Sequence, residues 1–186
     1  MSPYHPQPRV VIYYVWLVYL PTFANLVSGL PLSEGFIGGT ISLAVFCLCL
    51  PLWGTVADRI GQRNLLIIAC VLLAVLSYFL LDALTSANFS SFLITNMIGC
   101  ALTAMISAVI SPISCDLFPV EVRTSGIGVP YAMAGALFGS TSPLITTWFI
   151  KAETPQYIGY YMMLFCLIVF VSAVLLPKTV GRKRIA

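Results

Sequence analysis

The stretch GTVADRIGQRN, residues 54–64, sets Asp58, Arg59 and Arg63 between two apolar runs, FIGGTISLAVFCLCLPLW before it and LLIIACVLLAVLSYFLL after it. A helix needs about 20 apolar residues to cross ~30 Å of hydrocarbon. The two runs therefore read as consecutive membrane-spanning helices, and the charged stretch as the turn between them at the membrane surface.

Working outward, six stretches carry no Asp, Glu, Lys or Arg: 10–30, 36–57, 65–81, 89–115, 126–150 and 157–176. The third is the shortest and must borrow flanking residues or thin the bilayer locally. The ~10-residue alternation of a membrane β-barrel is absent. Of the 186 residues, 60% are hydrophobic and 8% charged, against about 25% charged in a soluble domain. The fold class is an all-α membrane protein with six transmembrane helices. A proline-rich tail over 1–9, a membrane unit over 10–176 and a basic tail over 177–186 divide the chain. The first apolar run is too long for a signal-peptide core, so no removable signal is expected.

Charge orients the unit. Arg9, Arg59, Arg63, Arg123, Lys178, Arg182, Lys183 and Arg184 fall on one side of a six-span chain, and Lys151 alone on the other. Positive charge stays inside, so both termini and the loops at 58–63 and 116–123 are expected in the cytoplasm. The GRKR run at 181–184 anchors the last helix there.

Within the spans there is no acid or base to serve a proton relay. Pro21 and Pro143 are candidate kinks, each removing a hydrogen bond from its helix. Gly128, Ala132, Gly135, Ala136, Gly139 and Ser142 in the fifth span, and Gly99, Thr103, Ser107 and Ser111 in the fourth, form small-residue faces where helices meet. Asn25, Asn96 and Tyr131 are candidate cavity residues, because an unpaired polar group in hydrocarbon is costly. The six cysteines lie in spans or at a cytoplasmic end, where oxidation is not expected. His5 stands alone, and neither metal, cofactor nor nucleic-acid binding is expected. An intramembrane enzyme would need a nucleophile and base, or metal ligands, at membrane depth, and no such set exists.

Residues 54–63 resemble the loop signature G-x-x-x-D-R-x-G-R-R of the major facilitator superfamily, with Gln62 in place of the first arginine of the final pair. Residues 116–128, DLFPVEVRTSGIG, followed by PYAMAGALFGSTSP, resemble the metabolite:proton symporter branch, as does YLPTF at 19–23. All three match the C-terminal half of that branch. The resemblance implies one six-helix half of a twelve-helix transporter of the bacterial inner membrane. Such a protein moves a small organic acid or a betaine- or proline-like solute with protons, by alternating access. It implies roles for Gly54, Asp58, Arg59, Gly61, Arg63, Asp116, Pro119 and Arg123 in the cytoplasmic loops. It implies packing roles for Gly126, Gly135, Phe138, Gly139 and Pro143, and a transport-path role for Tyr131. Ala132 stands where the branch has asparagine, and Ser140 where it has glycine.

Gly54 and Gly61 are expected to let the backbone turn and approach its neighbours closely. Arg59 and Arg63 are expected to pair with Asp116 or Glu121 as a cytoplasmic latch of about 1 kcal/mol per pair, which suits two nearly balanced states. The blander alternative is that these arginines only enforce topology. An N-terminal six-helix half, or self-association, is expected to complete the transporter. The alternatives are a truncated remnant without transport activity and a membrane scaffold.

Overall fold

The computed structural model describes residues 9–84, 88–117, 123–152 and 157–175. The terminal tails, Pro119 and Glu121 lie outside the described residues, as do the side chains of Arg9, Asp116 and Arg123. Among the described residues the fold is six helical rods and no strand. We label them α1 (residues 9–28), α2 (Leu32–Ile60), α3 (Gln62–Ala83), α4 (Phe89–Leu117), α5 (residues 123–151) and α6 (Tyr157–Leu175). All but α5 are long and apolar enough to cross a membrane by length and composition. α5 is as long as α2 but is diluted by the glycines and hydroxyls of its GIG and GSTS stretches.

Two rods change pitch midway. α1 runs as α-helix over Arg9–Tyr13, as π-helix over Tyr14–Tyr19 and as α-helix again over Leu20–Ser28. α5 does the same around a π segment at Gly135–Gly139. Each π segment lies just ahead of a proline. Pro21 has Leu17 four residues before it, and Pro143 has Gly139 there. A proline ring crowds the carbonyl four residues back and leaves it without a donor, so a locally widened helix relieves the clash.

α4 packs against both α2 and α3, α3 packs against α6, and α1 lies across α2 and α5. Glycines set these approaches. A side chain at Gly99 of α4 would come within 2.1 Å of the Trp16 ring, so the indole rests directly on the α4 backbone. Gly139 receives the Tyr14 ring at 2.7 Å and Gly38 the Phe92 ring at 2.7 Å, measured to the position of an added Cβ. Gly35 and Gly39, one turn apart on α2, make the groove that takes Pro21. Helices gain nothing from apolar burial between one another in lipid, so close van der Waals fit of this kind carries the association.

Cross-helix hydrogen bonds tie the rods together. The Trp53 indole donates to the Ala101 carbonyl at 3.0 Å, and Tyr19 and Thr147 share a hydroxyl bond of 2.7 Å. Ser28 donates to the Leu84 carbonyl, holding the end of α1 to the end of α3. All six cysteines are free. Leu48, Leu52, Phe79, Leu144 and Trp148 are exposed, the outer surface that a bilayer would cover.

Candidate solute cavity and loop signature

Short connections make successive rods run in opposite directions, so the start of α1, the end of α2, the end of α4 and the start of α5 share one end of the bundle. Between these four lies a cavity of about 510 Å³. Tyr13 and Tyr14 line it from α1, Phe46 and Leu50 from α2, Thr103, Ser107 and Ser111 from α4, and Tyr131 and Gly135 from α5. Among the described lining residues none is acidic or basic. The Tyr13 ring stands edge-on to Tyr14 and to Phe46, with centroids 6.0 Å apart in both pairs.

The fourth-span face divides along its length. Gly99 and Thr103 are buried, with the Thr103 hydroxyl donating to the Gly99 carbonyl at 2.8 Å. Ser107 is half-buried and Ser111 is exposed to the cavity. The small-residue spacing was visible in the sequence, but it marks a helix contact at one end and a cavity wall at the other.

Of the three residues expected in the cavity, Tyr131 lines it. Asn25 does not. Its side-chain amide donates to the Leu30 carbonyl at 2.8 Å, and its carbonyl accepts the Gly29 N–H at 3.2 Å. Gly29 has φ +70, so Asn25 serves the left-handed stop of α1. Asn96 is buried on α4, where its side-chain oxygen accepts the Cys100 thiol at 3.5 Å, and it too stands apart from the cavity lining. An asparagine can satisfy itself against nearby backbone or one turn along its own helix, which spacing alone does not reveal.

The loop signature lies at the same end of the bundle. Gly61 has φ +94 and breaks the chain between α2 and α3, as a glycine must there. Gly54 does not turn. It sits inside α2, and a side chain added to it meets nothing within 4 Å. Asp58 and Arg59 are exposed in the last turn of α2. The partners expected for Arg63, the Asp116 side chain and Glu121, lie outside the described residues, but Arg63 has partners among the described ones. Its Nη2 donates to the Val174 carbonyl at 2.7 Å and its Nε to the Ala173 carbonyl at 3.2 Å. The last carbonyls of a helix lack intrahelical donors and carry partial negative charge, which a guanidinium beside them satisfies.

In α5, Gly139 and Ser142 are buried, and the Phe138 ring meets Phe165 of α6 edge-on at 6.2 Å. Gly126 is half-buried. Gly128 and Gly135 have nothing within 4 Å of an added Cβ, and Ala132 and Ala136 are exposed. Gly128, Ala132, Gly135 and Ala136, the greater part of the small-residue face of α5, are thus unfilled by the described residues. The Gly35–Gly39 groove and the glycine–aromatic seats went unpredicted. The G-x-x-x-G spacing at 35–39 could have signalled the first.

The chain is 24% identical over 168 residues to an alpha-ketoglutarate permease of Escherichia coli, covering 89% of this chain and 39% of that protein. It is 32% identical over 160 residues to a citrate-proton symporter of Klebsiella pneumoniae, covering 84% and 35% respectively. An ectoine/proline transporter of Corynebacterium glutamicum is 25% identical over 169 residues, covering 89% and 33%. The chain thus spans less than half the length of these relatives. No solved structure matches it. The sequence pattern of the Major Facilitator Superfamily matches residues 9–185, nearly the full length. With six packed helices and the D-R-x-G-x-R turn between the second and third, the chain belongs to the Major Facilitator Superfamily, and its relatives place it in the metabolite:proton symporter branch.

Proposed function

We propose that the chain is the C-terminal half of a secondary transporter of the bacterial inner membrane. It moves a small organic acid or a betaine- or proline-like solute together with protons, with both termini in the cytoplasm. The supporting observation is the cavity between α1, α2, α4 and α5, which lies at the same end of the bundle as the Asp58–Arg63 turn. Alternating access requires a solute cavity that opens to one surface at a time, and a cavity at one end of the bundle fits that requirement. The relatives include proteins named as proton symporters of citrate and as transporters of proline and betaine.

Tyr131 is a solute-facing residue in this reading. Asp58, Arg59, Arg63, Asp116 and Arg123 form the latch, and Arg63 also fixes the turn to α6. The unfilled face of α5 at Gly128, Ala132, Gly135 and Ala136 supports the need for a second six-helix unit to close against. Gly54, with open space beside it, suits the same contact.

Uptake into inverted and right-side-out vesicles carrying this chain together with an N-terminal half from a relative tests the reading. Solute accumulation that collapses with the proton gradient is expected. Its absence for every candidate solute favours the alternatives of a non-transporting remnant or a scaffold.

A further inference from the structure

The π segments of α1 and α5 touch, and two tyrosines bracket the first of them. Tyr14 opens the α1 segment and Tyr19 closes it. Both reach α5. The Tyr14 ring lies on Gly139, 2.7 Å from an added Cβ, and the Tyr19 hydroxyl meets Thr147 Oγ1 at 2.7 Å. Thr147 gives its own proton to the Pro143 carbonyl at 2.7 Å, so Tyr19 is the donor between them.

In an α-helix, residues four apart lie nearly over one another, and residues five apart are about 140° around the axis. A π turn holds one extra residue, so residues five apart take the positions of residues four apart. Only the wide turn lets Tyr14 and Tyr19 face α5 together. Val18 is the residue that it pushes outward: Val15, Trp16, Leu17 and Tyr19 are buried, while Val18 is 51% exposed.

The two registers open to α1 are close in cost. In an α register the Leu17 carbonyl would face Pro21, which has no N–H to give. The hydrogen bond that a wide turn forfeits is therefore already missing. The α5 segment is held differently, with the Ser140 and Thr141 hydroxyls donating to the Ala136 and Leu137 carbonyls inside it. The α1 segment, YVWLVY, has no serine or threonine to hold it in this way.

We infer that the π segment of α1 is a one-residue register switch, with α5 as its fixed partner. With Tyr19 held at Thr147, closing the wide turn rotates the Arg9–Tyr13 end by about 100° and moves it by about 1.5 Å. Val15 then takes the seat on Gly139, Tyr14 takes the place of Tyr13 beside Phe46, and Tyr13 takes the place of Ile12. Ile12, Tyr13 and Tyr14 all border the cavity, so the incoming rings have room there. The switch belongs to the fold of α1 and does not depend on which solute the cavity holds.

Deletion of Val18 tests it. An α register without Val18 keeps Tyr14 and Tyr19 on one face, so the deletion fixes the contacts of the wide turn and leaves nothing to switch. The thermal midpoint of the full chain in lipid nanodiscs should stay within about 3 °C of the parent. Deletion of Val75, a 49% exposed valine within α3, puts half of that helix out of register and should lower the midpoint by at least about 5 °C. A fluorotyrosine placed at position 14 alone should give two exchanging fluorine resonances in the parent and one in the Val18 deletion. Pro21→Ala returns an N–H to the Leu17 carbonyl and should raise the second population roughly fivefold. Equal loss of stability in the two deletions overturns Val18 as a spare residue. A single state in the parent and in Pro21→Ala by saturation transfer, or two states persisting without Val18, overturns the switch. Uptake enters none of these readouts, so a failure of the transport reading leaves them intact.

Discussion

The Arg63 guanidinium sits on the end of α6, with Nη2 2.7 Å from the Val174 carbonyl oxygen. Its Nε reaches the neighbouring Ala173 carbonyl at 3.2 Å. One arginine of the loop signature therefore clamps the α2–α3 turn to the last helix of the same unit, across 111 residues of sequence. A clamp inside the unit keeps α3 and α6 moving together. That suits a mechanism in which the unit rocks as a body and Asp58 and Arg59, exposed beside the clamp, face whatever changes.

Arg63→Ala should lower the stability of the detergent-solubilised chain by about 1–3 kcal/mol, because two charge-assisted hydrogen bonds are lost and two helix-end carbonyls lose their donor. Arg63→Lys should recover only part of this, since one ammonium lacks the fork that spans both carbonyls. Thermal unfolding measures it. An unchanged midpoint for Arg63→Ala would leave the residue as a topology signal only.

Gly99→Ala should cost about 1–3 kcal/mol through overpacking, because the new methyl would lie 2.1 Å from the Trp16 ring. Gly128→Ala and Gly135→Ala have open space within the chain and should hold or raise stability, by up to about 1 kcal/mol from helix propensity. Denaturant unfolding in mixed micelles, with the Trp16 environment followed by fluorescence, distinguishes the two classes. Equal loss at all three sites would mean that the α5 face is packed after all.

Much of the fold was legible because membrane spans announce themselves as uncharged runs, and the D-R-x-G turn needs a glycine that Gly61 supplies with φ +94. What spacing could not reveal were the partners across the fold. The sequence displays the acids that Arg63 could pair with, but a helix-end carbonyl is a strong acceptor at any residue type, so its bonds to Ala173 and Val174 were not visible there. Asn25 and Asn96 looked like cavity groups because an amide in a span needs a partner. Each found one within four or five residues. Pro21 and Pro143 flagged the two irregular places in the helices, but not that a π segment would precede each. Tyr131 was found among the cavity residues; Tyr13 and Tyr14 were not singled out, since a tyrosine at a membrane end is equally an interface anchor.

Topology follows from the charge asymmetry. A reporter inserted within residues 60–64 or fused after Ala186 should read as cytoplasmic, and one within 84–88 as external. An alkaline phosphatase and fluorescent-protein fusion pair measures both. A cytoplasmic signal at 84–88 would break the six-span arrangement.

Asp58→Asn keeps shape and removes charge from the last turn of α2. Insertion should stay as in the parent chain, while uptake by vesicles holding this chain with an N-terminal half should fall at least about tenfold. The latch reading requires charge at this position to balance two states separated by roughly 1 kcal/mol per pair. Full uptake by the variant would remove Asp58 from the transport cycle.

The chain by itself should not accumulate solute against a gradient. Concentrative symport couples a proton to a solute across two conformations, and a membrane-embedded acid is the usual carrier. Glu34 lies in the first turn of α2 and Asp58 in its last, while Asp82 and Asp116 fall at the ends of α3 and α4. Among the described residues the cavity lining has no carboxylate. A second copy could cover the open face of α5, but it would bring the same lining and no new acid. Vesicles with this chain alone should therefore equilibrate solute at most. Vesicles that also hold an N-terminal half from a relative should accumulate it in proportion to the imposed pH gradient. Proton-dependent accumulation by the single chain would place a working proton carrier among its own residues and overturn this account of its coupling.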